Sequence, residues 1–351
     1  MPDLRSLTRR ALQLSETVYP GYFALVMATG IVSTSFWFLG YRWISDALFG
    51  VNVVAFPILV IAYLLRIVRY RAAFWADLTN PELIFTFFTF VAGSNVLGAQ
   101  FLLRNHVAAA LALWLVSIAA WLFLSYFSFA LLIFVNGRSV FEIANASWFI
   151  AIVGTQSVVV LGTLLAGHFP VYSTFIFLCM YGLWSIGAVF YVIITTFVLF
   201  RMFFAALDPP TLLPPYWIIL GATSISTLAG DDFVNLAPHL PFLNELRPVL
   251  VAVTFALWAW SSWWVPLLVI FGIWRHVIRR VPVRYHPTYW SLVFPIGMYS
   301  AASNRLVVFM GLGSFRLIPV IMGWAALAAW LITAFGLGKS IVRFSLSKSH
   351  G

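Results

Sequence analysis

The sequence is poor in charge. Asp, Glu, Lys and Arg make up 9% of its 351 residues, and only ten are acidic. A water-soluble domain of this size needs far more polar surface, so a soluble globular enzyme is excluded. Cysteine is nearly absent as well. The single Cys179 cannot form an intrachain disulfide or a cysteine-based metal site, and within an apolar run it reads as a packing residue. The six histidines fall in loops or at ends, and no pair has the spacing of a helical metal site. There is no phosphate-cradling glycine loop followed by lysine and no nucleophile elbow. No metal or cofactor is therefore expected. Residues 1–18 carry Arg5, Arg9 and Arg10 but no apolar core or cleavage site, which predicts a polar tail rather than a cleaved signal.

What is present is apolar. Hydrophobic residues make up 63% of the chain, and the mean hydropathy is +0.99. About ten apolar runs, most of them long enough to cross a hydrocarbon core, alternate with short basic turns. The runs are 21–39, 47–65, 82–103, 107–135, 145–167, 172–204, 216–234, 248–274, 287–311 and 315–338. Helices are expected, because a membrane barrel would instead show alternating segments of about ten residues. The reading is an all-α integral membrane protein with one transmembrane domain, 19–344, between tails 1–18 and 345–351.

The formal charge of +10 does not point to nucleic acid, because basic residues collect in the cytoplasmic loops of membrane proteins whatever their function. Of the twenty basic residues, only Arg42, Arg104, Arg247 and Arg316 lie on the minor side, with Arg305 inside the ninth run. The bias predicts both termini in the cytoplasm and an even number of spans. A basic protein with few acids also draws small anions to its mouths.

Small and polar residues cluster in alternate runs. The first has Thr29, Gly30 and Ser33; the third Gly93, Ser94 and Asn95; the fifth Gly154 and Thr155; the seventh Ser226 and Thr227; the ninth Gly297 and Ser300. Such residues either let helices approach closely or face water. Five clusters in alternation suggest five hairpins, each giving one inner helix to a common axis and one outer helix to lipid.

Ionisable residues within a bilayer carry a functional hypothesis. Asp231 and Asp232 near the outer end of the seventh run match Arg305 in depth, so a charge pair, contact with outer water and a proton-coupling site all stand open. Glu142, before the fifth run, reads as a carboxylate near a helix N-terminus. The adjacent aspartates are similar to magnesium motifs of membrane prenyl transferases, but no second acidic cluster accompanies them, which weakens the lipid-enzyme alternative. In the ninth run, Pro295 removes a backbone donor near mid-membrane, Phe294 sits beside it, and Gly297 and Ser300 follow. From spacing alone, Phe294 reads as packing in preference to gating.

The Trp290-x-x-x-Phe294-Pro295 segment resembles the signature of the tellurite-resistance/dicarboxylate transporter family, which includes slow anion channels, malate permeases and sulfite efflux pumps. Tyr19–Ile31, with Pro20-Gly21 and Thr29-Gly30, is similar to the family's opening helix, and Ser147–Gln156 to its fifth. The resemblance implies ten helices in five hairpins, a quasi-fivefold ring around a pore, and a homotrimer with one pore per subunit. It makes Phe294 the leading candidate for an aromatic gate. The expected function is a plasma-membrane channel or transporter for small anions such as malate, sulfite, chloride, nitrate or tellurite. A proton-coupled permease using Asp231, Asp232 or Glu142 is the rival.

Overall fold

The computed structural model describes Glu16 and residues 18–205, 214–236 and 241–347. Most of the expected N-terminal tail, including Arg5, Arg9 and Arg10, lies outside the described residues, as do His239 and residues 348–351. The described residues form helices and turns, with no strand among them.

Among the described residues, the helices that fall in the predicted runs are α1 (Ala24–Phe38), α2 (Arg42–Arg69), α3 (Phe88–Leu102), α4 (Val107–Phe134), α5 (Phe149–Ala166), α6 (Ser173–Phe204), α7 (Ile218–Leu236), α8 (Pro241–Ile273), α9 (Trp290–Phe309) and α10 (Leu317–Ser347). Short 3-10 turns lead into α3, α5, α7 and α9. Among the described residues, eight helices are long and apolar enough to cross a membrane. The other two are α1, with 15 residues, and α7, which carries two aspartates. Both are odd-numbered, and α1 departs from the expected span length. At about 1.5 Å per residue it rises only about 22 Å. Twelve of its residues are buried, so protein rather than lipid surrounds it and its length need not match the bilayer.

Burial separates two classes of helix. In α5, 89% of the most apolar stretch is buried; in α2, 11% is. The even helices turn Val54, Ile58, Ile133, Val189, Phe335 and similar side chains outward. In water such a surface would aggregate; against lipid tails it costs nothing. Cys179 is on this exposed side instead of in the packing expected for it.

Each odd helix packs on the even helix that follows it. The odd helices also contact one another in the order α1, α3, α5, α7, α9, and the contacts return from α9 to α1. Several turns between partners use left-handed backbone: Gly40 between α1 and α2 (φ 90°) and Gly311 between α9 and α10 (φ 66°). Glycine tolerates that conformation without a Cβ penalty and ends a helix sharply.

A repeated polar contact ties each outer helix to the next inner one. Indole Nε1 atoms donate from Trp121 of α4 to Thr155 Oγ1 of α5 (2.8 Å) and from Trp184 of α6 to the Ser226 carbonyl of α7 (2.9 Å). Trp258 of α8 donates to Ser303 Oγ of α9 (2.9 Å), and Trp330 of α10 to Thr29 Oγ1 of α1 (2.9 Å). On α2, Asn52 takes the same part, donating to Gln100 Oε1 of α3 (2.8 Å). An indole N–H in lipid would be unsatisfied, so each contact removes a cost as well as adding a bond.

Candidate functional site

One cavity draws its lining from all five odd helices. Ile31, Thr34 and Phe38 come from α1; Asn95, Val96 and Ala99 from α3; Ser157, Val160 and Leu164 from α5. Ile225, Leu228 and Asp232 come from α7, and Met298 and Arg305 from α9. Steps of three and four residues place each set on one helical face. The cavity measures about 100 Å³, and its wall is mostly apolar, with Thr34, Asn95 and Ser157 as neutral polar groups. Its charged residues are Asp232 and Arg305.

Phe294 lies one helical turn before Met298, about 6 Å along the axis, on the face of α9 that carries Met298 and Arg305. Its side chain is buried, at 1% exposure, rather than turned to lipid. The ring packs toward α7, where Gly221 leaves room: a Cβ there would stand 3.3 Å from Phe294 Cε1 and 3.0 Å from Pro295 Cγ. Helix α9 continues from Trp290 to Phe309 through Pro295. The cavity lining includes Met298 but not Phe294, so the aromatic ring and its neighbours lie in the packed layer beyond the cavity's inner end.

At the other end, Arg305 meets both aspartates. Nε lies 3.0 Å from Asp231 Oδ2, and Nη2 lies 2.8 Å from Asp232 Oδ1. The carboxylate side chains are 1% and 5% exposed, against 33% for the guanidinium. Asn235 also donates to Asp231 Oδ2 (3.0 Å). The planar guanidinium serves two carboxylates at once, which a lysine cannot do with the same geometry. With all three ionised the cluster carries one net negative charge. The one cation among the cavity's lining residues is therefore already engaged.

The other sequence candidates divide cleanly. Asn95 lines the cavity and also links Ser157 and Ser117 by hydrogen bonds of 3.0 and 2.7 Å. Most of the rest meet neighbouring helices. Thr29, Thr155 and Ser226 receive the outer-helix tryptophans described above. Ser33 bonds Ser45 of α2, and Ser300 bonds Ser35 and the Pro319 carbonyl. Ser94 and Thr227 return hydrogen bonds to carbonyls four residues earlier in their own helices. Gly30, Gly93, Gly154 and Gly297 admit Val96, the Phe23 backbone, Phe88 and Ile31 respectively. Glu142 is exposed and accepts from Ser139 Oγ (3.0 Å), well away from the aspartates in the fold. The apolar lining residues Ile31, Val96, Val160 and Leu228 were not singled out in the sequence, where they are indistinguishable from core residues.

The sequence model of the family described as SLAC1, voltage-dependent anion channel, matches residues 17–337. The chain belongs to the SLAC1 family. Among its relatives is an uncharacterised transporter of Methanocaldococcus jannaschii, 24% identical over 97% of this chain and 98% of the relative. An uncharacterised membrane protein of Mycobacterium tuberculosis is 40% identical over 41% of this chain and 72% of the relative. A sulfite efflux pump of Arthroderma otae is 23% identical over 89% of each chain. Membership in the SLAC1 family and these transporter relatives support an anion transporter or channel. In this SLAC1-family chain, Phe294, the cavity and the Arg305 cluster follow one another along α9.

Proposed function

We propose that this chain passes small anions through a central pore enclosed by a quasi-fivefold ring of α1, α3, α5, α7 and α9, with Phe294 as its aromatic gate. The observation that carries the reading is the cavity walled by all five odd helices and ending at Met298, one turn short of the Phe294 ring. All ten helices cross the membrane in this reading, as five hairpins, and the chain assembles as a homotrimer with one pore per subunit. The basic bias of the loops supports a plasma-membrane orientation with both termini in the cytoplasm.

The wall favours throughput over tight binding. Two hydroxyls, an amide and backbone dipoles touch a dehydrating anion, while Arg305 is largely offset by its carboxylates. A weakly held ion leaves quickly. Sulfite, chloride, nitrate, malate and tellurite are the substrates to compare, sulfite with added support from the named efflux relative. In planar bilayers, Phe294→Ala is expected to raise anion conductance. Unchanged current from a normally expressed and folded variant removes Phe294 from the gate.

One observation favours proton coupling as a second reading: Asp232 lines the cavity itself and holds the cavity's cation. Under that reading an imposed pH gradient drives anion uptake into proteoliposomes. Uptake that ignores the gradient eliminates it.

A further inference from the structure

A second concavity lies at the C-terminal end of α10, where the helix passes the segment leading into α9. It encloses about 760 Å³ and is walled by Arg284 and Tyr285 on one side and by Ile332, Phe335, Lys339 and Arg343, among others, on the other. This is the scale of a small-molecule site. No function has been assigned to it above, and it shares no lining residue with the cavity of the odd helices.

Its chemistry changes along its length. Ile332 and Phe335 are 70% and 66% exposed on the lipid-facing side of α10. Lys339 and Arg343 follow one and two turns on, with Arg284 opposite. From Ile332 to Arg343 the helix rises about 16 Å, so the groove grades from hydrocarbon depth to the interface. No acidic residue lines it. Among the described residues, none of the three cations is paired with a carboxylate, whereas Arg66, Arg104, Arg138 and Arg305 all are. Lys339 instead sets its Nζ 4.6 Å from the centre of the Phe335 ring, a cation–π contact at the junction of the apolar stripe and the basic end. The two walls meet closely at the groove's base: Tyr285 packs where Gly336 lacks a side chain, a Cβ there meeting Tyr285 Cδ2 at 2.9 Å.

We propose that this groove binds an anionic glycerophospholipid, its phosphate held by Arg284, Lys339 and Arg343 and an acyl chain lying along Ile332 and Phe335. Three unpaired cations above an exposed apolar stripe match one ligand with a negative head and an apolar tail. A free phosphate would use the cations and leave the stripe uncovered. The proposal needs only the membrane location and stands whether or not the pore reading holds.

The test uses the full chain purified in detergent, with phosphatidylglycerol, phosphatidylcholine and inorganic phosphate as probes. Native mass spectrometry counts retained lipid, and thermal melting reads stabilisation. Phosphatidylglycerol is expected to be retained and to raise the melting temperature by a few degrees, with phosphatidylcholine doing neither. Each of Arg284→Gln, Lys339→Gln and Arg343→Gln is expected to weaken retention roughly fivefold, and the three together about a hundredfold. Arg316→Gln, at the opposite end of α10, changes nothing. Equal retention of the two lipids overturns the proposal, as does retention unchanged in the triple variant. Stabilisation by inorganic phosphate to the same extent as by phosphatidylglycerol also overturns it, in favour of a soluble-anion site. Should the triple variant not fold, the single variants and the two-lipid comparison on the unmodified chain decide the matter.

Discussion

Arg305→Gln is expected to destabilise the protein more than any other loss of a single surface-reaching charge. The substitution leaves Asp231 and Asp232 side by side, 1% and 5% exposed, with no cation between them. Removing one partner from a buried ion pair costs about 3–5 kcal/mol, because the remaining charge stays desolvated. The guanidinium's approach to the Phe38 ring, 5.7 Å from its centre, adds at most about 1 kcal/mol. At a few degrees per kcal/mol the melting temperature falls by roughly 5–10 °C. Intrinsic fluorescence of the 16 tryptophans in detergent follows the transition directly. Two companions isolate the cause. Arg305→Lys keeps the charge but loses the two-carboxylate geometry, so it falls between the wild type and Arg305→Gln. The triple change Asp231→Asn, Asp232→Asn and Arg305→Gln removes every charge together and recovers most of the lost stability, since neutral replacement of a buried cluster is far cheaper than breaking it. If Arg305→Gln melts within a degree of the wild type, or the triple variant melts no higher than Arg305→Gln, the cluster is not the buried electrostatic unit described here.

Asp232→Asn raises the net charge of that cluster from −1 to zero, and chloride or sulfite flux in liposomes is expected to rise about tenfold at low ionic strength, with unchanged flux as the contrary result. Gly30→Ala puts a Cβ 2.4 Å from Val96 Cγ1 and 2.8 Å from Asn52 Nδ2, so a cost of about 1–3 kcal/mol in thermal stability follows without a change in anion preference; an altered preference would mean that Gly30 faces the permeating ion. His286 caps the turn into α9 by accepting from the Thr288 N–H at Nδ1 (3.3 Å), and burial holds its ring below the ordinary histidine range. The unfolded chain therefore binds this proton more readily, so stability is complete above about pH 6.5 and declines as pH falls below it. His286→Asn keeps an acceptor without a titrating ring and should flatten that acid limb in a series of melts at different pH; an unchanged acid limb locates the effect elsewhere.

The helices were legible because two independent signals, apolar length and basic turns, mark the same boundaries. Their edges fell within a few residues for α4, α5 and α6, while α2 begins five residues before its predicted run at Arg42. The division into inner and outer helices was also visible, since Gly, Ser and Thr concentrate in alternate runs. What those residues face was not. A hydroxyl at Thr29 has the same sequence neighbourhood whether it meets water or an indole, and its partner Trp330 stands 301 positions away. The cavity wall was hidden for the converse reason: Ile31 and Leu228 follow the ordinary spacing of buried apolar residues. Matched depth along two separate runs made a pair of Arg305 with one aspartate an open reading beside contact with outer water; that it engages both is decided by the packing.

The tryptophan contacts also bear on biogenesis. Each hairpin is fastened by the one made before it, except the first, whose Thr29 socket is filled only by α10. A nascent chain leaving the ribosome would carry that vacancy through synthesis of nearly the whole domain. Truncation before Trp330 would thus leave α1 packed on α9 but the Thr29 socket unfilled, the form that quality-control proteases and chaperones would meet.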